Sequence, residues 1–358
     1  MKFDDVIGQE FAVKVLKHSI GSDAVSHAYL FAGLEGVGKT TTALAFAAAL
    51  NCEHRAEDGD SCGECWSCRA ITEARHPDVE LIAPETEQTK IDQMREMRRR
   101  AMFPPIRSPW KVLVLERAET LNDDSASAIL KILEEPPSYA VLLLLTRNMS
   151  LALSTIVSRC QVVRFRQSSA DVLRAALQER FNIDEEKADF LSRYTEGRVG
   201  EAISLLEDEA FFARRDAILN LAQLAASAEK PLALRLAEEF RKSCAPSDKP
   251  KKKGKSAPAA GAEDDAEASA KSGRREIRQG LDSLVLWYRD LLSLALLGPD
   301  APVINLDKRE DLAKALPSVS RERTRSALAS LTWAKRALAG NANPQLITEV
   351  VMMRILRG

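Results

Sequence analysis

The sequence predicts an α/β domain with a parallel sheet in its amino-terminal part, followed by regions that are entirely helical. In the first 166 residues, short apolar runs alternate with helical patterns, and from about residue 168 the strand signals stop. Continuous apolar runs separated by helices are typical of parallel strands buried on both faces. The chain has 358 residues, more than one ordinary core holds, so two or three domains are expected.

The predicted strands are short apolar runs, at 28–31, 79–82, 112–115, 141–145 and 162–165. Helical patterns follow two of them, at 41–50 and 122–133, and Pro136 and Pro137 prevent the second helix from continuing.

Beyond the sheet, three short amphipathic patterns predict a small helical domain, at 171–180, 184–194 and 200–207. A further helical region runs from about 209 to the end. In it, apolar residues recur at helical spacing and are expected to pack inside that domain: Leu281, Leu284, Tyr288, Leu291 and Ala295. The predicted domains are therefore 1–166, 167–208 and 209–358.

Residues 241–276 interrupt the last domain, because they contain no Ile, Leu, Val, Met, Phe, Trp or Tyr. Such a segment cannot bury enough apolar area to offset the entropy of ordering, so we predict a disordered insert. It carries a lysine block at 249–255 and an acidic block at 263–267. The lysines could contact nucleic acid, but the neighbouring acidic block cancels their field and favours a solvated linker.

Composition narrows the class of protein. The formal net charge of -1 argues against a generally basic nucleic-acid coat. The first ten residues lack the apolar core of a signal peptide, and the longest apolar runs are too short to span a bilayer. We therefore expect a cytoplasmic protein, whose six cysteines do not form a disulfide framework.

A phosphate-binding loop is the most specific motif. Residues 33–40, GLEGVGKT, match G-x-x-x-x-G-K-[ST] and lie between a predicted strand and a predicted helix, which is the context the motif requires. Its backbone N–H groups and the helix N-terminus face phosphate, the lysine reaches the terminal phosphates, and the threonine hydroxyl faces Mg²⁺. The predicted loop residues that bind ATP or ADP with Mg²⁺ are Gly33, Gly36, Gly38, Lys39, Thr40 and Thr41.

Hydrolysis requires more than this loop. Glu116, just after the predicted strand 112–115, is placed to serve the metal ion. Arg117 follows it, where the residue that activates water is expected, and a guanidinium is not a base at neutral pH. We therefore expect nucleotide binding without efficient hydrolysis.

Four closely spaced cysteines predict a structural zinc site. Cys52, Cys62, Cys65 and Cys68 follow the pattern C-x9-C-x2-C-x2-C, and four thiolates close a tetrahedral Zn²⁺ site. A small polar insert of this kind, at about 52–68, needs such a link because it has almost no core. The alternatives are four unconnected thiols or a redox switch, and the neighbouring histidines at 54 and 76 could compete as ligands. Cys160 and Cys244 are expected to be ordinary residues.

Together these motifs make the sequence similar to the bacterial clamp-loader AAA+ subunits of DNA polymerase III. Besides the loop and the cysteines, the similarity rests on DVIGQ at 5–9, SHAYLF at 26–31, HPDV at 76–79, LKILEEPP at 130–137, SRC at 158–160 and NANPQL at 341–346. It spans the chain apart from 241–276. It implies an AAA+ domain with a zinc insert, then a three-helix lid, then an all-α collar that serves oligomerisation.

The resemblance also implies roles for individual residues. The arginine of the SRC motif, Arg159, would project into the ATP site of the neighbouring subunit as an arginine finger. Without the resemblance, Arg159 would be interpreted as a surface cation. Thr146 falls near the position that senses the γ-phosphate, with Arg147 and Asn148 as adjacent alternatives.

Two departures distinguish this chain from the active gamma/tau motor subunits of the family. Those carry an Asp-Glu pair where this chain has Glu116-Arg117, and a lid arginine where it has Gly200. The chain is thus expected to be a sister subunit that completes the ring and donates Arg159. An active gamma/tau-type ATPase is the alternative, and a P-loop protein outside replication is a third.

The family further implies partners. These are gamma/tau and delta subunits in a hetero-pentameric ring, the sliding clamp, and primer-template DNA contacted through the complex in the nucleoid-associated replisome.

Overall fold

The computed structural model describes residues 1–84, 89–227, 230–245, 262–340 and 342–357. The chain divides into two compact units, Met1–Ser204 and Leu205–Gly358. Among the described residues, none of the helices is long and apolar enough to cross a membrane.

The first unit is built on a five-stranded parallel sheet with the order β2-β3-β4-β1-β5. The strands are β1 (Ala28–Ala32), β2 (Val79–Ile82), β3 (Lys111–Leu115), β4 (Ala140–Thr146) and β5 (Gln161–Arg164). Each coincides with a predicted strand to within one or two residues, so the predicted parallel sheet is confirmed.

The helices of this unit are α1 (Glu10–Gly21), α2 (Lys39–Leu50), α3 (Trp66–Thr72), α4 (Ile91–Ala101), α5 (Asp123–Glu134), α6 (Ser154–Val157), α7 (Ala170–Phe181) and α8 (Glu185–Tyr194). Helix α9 (Val199–Glu207) crosses the division between the units. Short 3-10 turns occupy Phe3–Asp5, Ala118–Thr120 and Met149–Leu151.

Side-chain caps explain where the predicted helices begin. Asn122 accepts a hydrogen bond from the Ser125 N–H at 2.9 Å and thereby starts α5. Asp184 accepts from the Lys187 N–H at 2.7 Å at the start of α8. Each cap satisfies one of the N–H groups that the first helical turn leaves without a partner.

Side chains alternate in direction along each strand, so the core residues are divided between the two faces of the sheet. Tyr29 and Phe31 of β1 pack on one face with residues of α1 and α2. Leu30 points to the opposite face, toward α4 and α5. With both faces covered, the apolar side chains of the strands are removed from water, which is the main favourable contribution to folding.

The second unit is helical, with α10 (Phe211–Ser227), α11 (Ala233–Cys244), α12 (Ala262–Leu297), α13 (Arg309–Ala315), α14 (Arg321–Ala339) and α15 (Pro344–Arg357). Short 3-10 turns lie at Lys230–Leu232, Leu306–Lys308 and Leu316–Ser318. Four residues of the predicted stripe, Leu281, Leu284, Tyr288 and Leu291, are buried in its core as expected, and Ala295 is partly exposed. The predicted domain boundaries near 166 and 208 stay predictions.

The predicted disordered insert is wrong at both of its ends. Residues 241–244 form the last turn of α11, and α12 begins at Ala262, so that the acidic block at 263–267 is helical. Helical hydrogen bonds are local, and Ala, Glu, Lys and Arg have high helix propensity, so a helix can continue without burying apolar side chains. Residues 246–261, including the lysine block, lie outside the described residues.

Candidate functional site

The phosphate-binding loop lies at the carboxyl end of the sheet, where β1, β3 and β4 end side by side. The loop leaves β1 at Gly33, whose N–H donates to the Thr146 carbonyl at the end of β4, at 3.1 Å. Glu116 follows β3 directly. Ligands of open α/β sheets bind in the crevice at this end, so three segments far apart in sequence meet at one site.

Glycine is required at three positions of the loop. Gly36 and Gly38 have φ of +80° and +96°, a left-handed conformation that side chains disfavour. A Cβ atom at Gly33 would lie 2.5 Å from the Phe165 carbonyl oxygen. The motif therefore matches the backbone that the structure needs at each of these positions.

Lys39 and Thr40 stand at the start of α2, where helical N–H groups face the crevice. The Lys39 ammonium donates to the carbonyls of Gly33 and Leu34, both at 2.6 Å. The Thr40 hydroxyl donates to the Glu116 carboxylate at 2.7 Å. Burial lowers the pKa of Lys39, while nearby carboxylates act in the opposite direction.

These groups line a cavity of about 270 Å³. Its lining is Glu35, Gly36, Gly38, Lys39, Thr40, Thr41, Glu116, Arg117, Leu145, Thr146, Arg147 and Gly200. The structure thus brings together all the residues predicted to bind nucleotide except Gly33, which contributes its carbonyl to Lys39 instead.

Thr146 and Arg147, at the end of β4, differ in what they offer the cavity. The Thr146 hydroxyl donates to the Asn148 carbonyl at 3.0 Å, and its side chain is buried. Arg147 is half exposed and donates from Nε to Glu119 at 2.8 Å and from Nη1 to Glu35 at 3.2 Å. Sequence reasoning missed both carboxylates, although their position in the loop and just after β3 is a usable signal.

Arg117 and Gly200, where the resemblance implies departures from the motor subunits, both line this cavity. Arg117 has φ of +53°, a left-handed conformation that is uncommon for a residue with a side chain. The Gly200 N–H donates to the Gly36 carbonyl at 2.7 Å, and a Cβ at Gly200 would lie 3.3 Å from that oxygen. The first turn of α9 therefore rests directly on the phosphate-binding loop.

Arg159 lies just after α6 and does not line the cavity of its own chain. Its Nη2 donates to Glu134 at 2.9 Å and its Nη1 to the Thr155 carbonyl at 3.1 Å. The side chain is 37% exposed and its carboxylate partner 53%. The guanidinium is thus held at the surface by contacts that solvent screens.

The four predicted zinc ligands form one cluster, with the Sγ atoms of Cys52, Cys62, Cys65 and Cys68 all within 4.8 Å of one another. The Sγ atoms of Cys62 and Cys68 are 3.9 Å apart, close to the edge of about 3.8 Å in a tetrahedron with Zn–S bonds of about 2.3 Å. The cluster can therefore hold a metal ion.

Backbone groups around the sulfurs favour thiolates. The N–H groups of Glu64 and Cys65 donate to Cys62 Sγ at 3.4 and 3.3 Å, and that of Cys62 donates to Cys52 Sγ at 3.2 Å. Although burial raises the pKa of Cys62, the N–H groups of Cys65 and Glu64, together with hydrogen bonds to the Cys52 and Cys65 side chains, outweigh it and lower the pKa to about 6. Burial instead raises the pKa of the Cys52 and Cys68 thiols, so Cys62 is the thiolate that the cluster favours before a metal binds. The donor set fits zinc, which binds thiolates.

Neither neighbouring histidine belongs to the cluster, and His76 is instead buried, with Nε2 3.1 Å from the Ser108 hydroxyl. Cys160 and Cys244 also lie outside it, and burial raises the pKa of both thiols to about 12. Such thiols are unreactive at neutral pH, in agreement with the prediction that they are ordinary residues.

Residues 8–169 match the protein family described as DNA polymerase III, delta subunit. The delta′ subunit of DNA polymerase III from Bacillus subtilis is 27% identical over 352 residues, which are 98% of this chain and 97% of that protein. The tau subunit from the same organism is 32% identical over 59% of this chain and 38% of that protein. The tau subunit of Escherichia coli is 34% identical over 57% and 32%, respectively.

The chain therefore spans only about a third of the tau relatives, but nearly the whole of the delta′ protein. A gamma subunit-related protein from Thermotoga maritima has a TM-score of 0.43 and 17% identity over 98% of this chain and 99% of that one. The family match includes the phosphate-binding loop, the cysteine cluster and the segment that carries Arg159. The chain is thus similar over residues 8–169 to a family of DNA polymerase III subunits, and over nearly its full length to a delta′ subunit.

Proposed function

We propose that this chain is the delta′-type subunit of a clamp loader, the assembly that places the sliding clamp on primed DNA for the DNA polymerase III holoenzyme. In this proposal it binds ATP or ADP with Mg²⁺ without efficient hydrolysis and donates Arg159 to a neighbouring ATPase subunit. The proposal rests chiefly on the position of Arg117. This residue lines the nucleotide cavity where a carboxylate would be needed to activate water.

Nucleotide binding rests on the groups around the loop. In the structure, the Lys39 ammonium donates its hydrogen bonds to two backbone carbonyls. The terminal phosphates of a bound nucleotide would replace these carbonyls as acceptors. The 2.7 Å contact between Thr40 and Glu116 brings together the hydroxyl and the carboxylate that would hold the Mg²⁺ ion and its water shell.

Weak hydrolysis follows from the same cavity. Arg117 cannot accept a proton from an attacking water, because a guanidinium stays charged at any relevant pH. Gly200 supplies no side chain that could neutralise charge in the transition state, and its close approach to Gly36 leaves little room for one. The subunit would hold nucleotide as a structural ligand.

Arg159 supports the role in trans. Its side chain lies at the surface, outside the cavity of its own chain, and an exposed ion pair with Glu134 costs little to break. A neighbouring subunit with bound ATP would offer it a phosphate in place of the carboxylate.

The four-cysteine site would hold a structural Zn²⁺ ion that links the loop between α2 and α3.

The remaining features of the proposal concern the assembly. Residues 1–166 would be the AAA+ domain, 167–208 its lid, and 209–358 the collar that holds the ring together. The partners would be gamma/tau and delta subunits, with the clamp and primer-template DNA reached through the complex in the cytoplasm.

Steady-state ATP hydrolysis by the isolated chain tests the proposal against its main alternative. An active gamma/tau-type ATPase is favoured by one observation, the intact set of Lys39, Thr40 and Glu116. The proposal expects binding of nucleotide that Lys39→Ala abolishes, with hydrolysis close to the background of that variant. Rapid hydrolysis by the wild-type chain alone would support the alternative, and failure to assemble with gamma/tau and delta would contradict both.

A further inference from the structure

Strand β5 forms one edge of the sheet, because it pairs with β1 on one side only. The Phe165 N–H donates to the Ala32 carbonyl of β1 at 2.8 Å, so the backbone groups of Val162 and Arg164 face the free side of the strand. In the part of the chain that the structure describes, no other segment forms a backbone hydrogen bond with these two residues on that side. Such an edge can pair with a strand from another chain.

A groove of about 850 Å³ lies along this edge. Its large apolar side chains come from separate segments of the chain, and they are Phe11, Met149, Val157, Val162 and Val172. Phe11 is 73% exposed and Val172 is 43% exposed. Exposed apolar side chains that gather in a concavity are typical of a binding surface.

Two arginines give the groove its charge. Val162, Arg164 and Arg166 all line it, and because they are two residues apart in an extended segment, their side chains share one face. Both arginines are exposed, and within the described ranges neither guanidinium forms an ion pair. Among the residues that line the groove, Glu10 alone carries a negative charge, so the lining is net positive.

We propose that the free edge of β5 binds an extended, acidic segment of a partner protein, which adds to the sheet as a further strand. Main-chain hydrogen bonds to Val162 and Arg164 would hold the segment, and its alternate side chains would give specificity. On the groove face, an apolar side chain would lie against Val162 and carboxylates against Arg164 and Arg166. Opposite charges that face each other across two strands attract, and a guanidinium binds a carboxylate through two parallel hydrogen bonds.

Two other occupants match this edge less well. A second copy of the chain would bring its own Arg164 and Arg166 to the edge, and like charges placed opposite each other destabilise a strand pair. Single-stranded nucleic acid binds where successive aromatic side chains stack with its bases, whereas Phe11 is the only aromatic side chain that lines the groove. An acidic peptide satisfies the guanidinium groups and the backbone groups together.

The test measures binding of two labelled peptides of equal composition, ETETVTETE and TETEVETET, to the full chain by fluorescence anisotropy. In the first peptide, the valine and all four glutamates share one face of a strand, in whichever direction it lies. In the second, the glutamates occupy the opposite face. The first should bind at least about fivefold more tightly, because only its glutamates can face Arg164 and Arg166 while its valine faces Val162.

Arg164→Ala combined with Arg166→Ala should weaken binding of the first peptide by about tenfold and remove the preference between the two. The variant should fold normally, because Gln9 bonds to the backbone of Arg166 and not to its guanidinium. Arg321→Ala combined with Arg325→Ala, which removes two exposed arginines of α14, is the matched control and should change neither affinity.

Hydrogen exchange supplies a readout that is specific to strand addition. Binding of the first peptide should slow the exchange of the Val162 and Arg164 N–H groups. Equal affinity for the two peptides, tighter binding of a nine-nucleotide oligothymidine, binding without slower exchange, or no binding of the first peptide up to about 1 mM would overturn the inference. None of these outcomes bears on nucleotide binding or on Arg159, so the proposed function is tested separately.

Discussion

Replacing Arg159 by alanine should separate the stability of this subunit from its contribution to a neighbouring site. Within its own chain, the guanidinium makes a 2.9 Å contact with Glu134, and the two side chains are 37% and 53% exposed. Exposed pairs of this kind contribute about 0–1 kcal/mol to the free energy of unfolding. The Arg159→Ala subunit should therefore fold and assemble normally.

The expected effect on catalysis is much larger. An arginine finger increases kcat by about 10³-fold or more, and since each factor of ten corresponds to about 1.36 kcal/mol, the barrier should rise by about 4 kcal/mol at the site that receives the finger. This increase in the barrier is at least about four times the expected change in the free energy of unfolding. The effect of Arg159 on catalysis and its effect on stability are therefore distinguishable in one experiment.

The assay is single-turnover ATP hydrolysis by a complex rebuilt with the gamma/tau and delta subunits that we propose as partners, with clamp and primed DNA. With Arg159→Ala, one kinetic phase should slow by about 10³-fold while the composition of the complex is unchanged. Arg159→Lys should not restore that phase, because an ammonium lacks the bidentate geometry. Glu134→Gln removes the intrachain partner but keeps the finger, and should leave every phase intact. Wild-type rates in all phases of a fully assembled Arg159→Ala complex would refute the trans role.

Three further predictions concern the metal, a buried carboxylate and the loop backbone. Freshly purified protein should contain about one Zn²⁺ per chain by elemental analysis, and Cys65→Ser should lower both the metal content and the Tm; a wild-type chain without zinc would contradict this. Glu119→Gln should lower the free energy of unfolding by about 1 kcal/mol at pH 7, allowing for the exposure of its arginine partner. Although burial raises the pKa of Glu119, its hydrogen bonds hold the pKa below the usual range, so urea titrations should show this difference vanish as the pH falls below about 4. Gly33→Ala should cost about 1–3 kcal/mol in urea unfolding, because its Cβ would lie 2.5 Å from the Phe165 carbonyl. Gly21→Ala, in an open helical position, should change stability by less than about 1 kcal/mol, and equal costs for both would contradict the steric argument.

Much of the fold could be predicted because its signals are local. The apolar runs of the strands, the cap residues Asn122 and Asp184, and the glycines of the loop each act on their immediate neighbours in the chain. The predicted length of the disordered insert was too great for a related reason. Absence of apolar residues indicates that a segment has nothing to bury, but a helix such as α12 can extend through such a segment on local hydrogen bonds alone.

The sequence by itself determined the strands, the phosphate-binding loop and the four-cysteine pattern. The spacing of apolar residues, the geometry of a turn and the spacing of metal ligands are all properties of short segments. Only the tertiary structure decided that the ends of β1, β3 and β4 meet, and therefore that Glu35, Glu119 and Arg147 form one network. It also decided that Gly200 rests on Gly36. These contacts depend on strand order and on the approach of segments distant in the chain, and no local pattern records them.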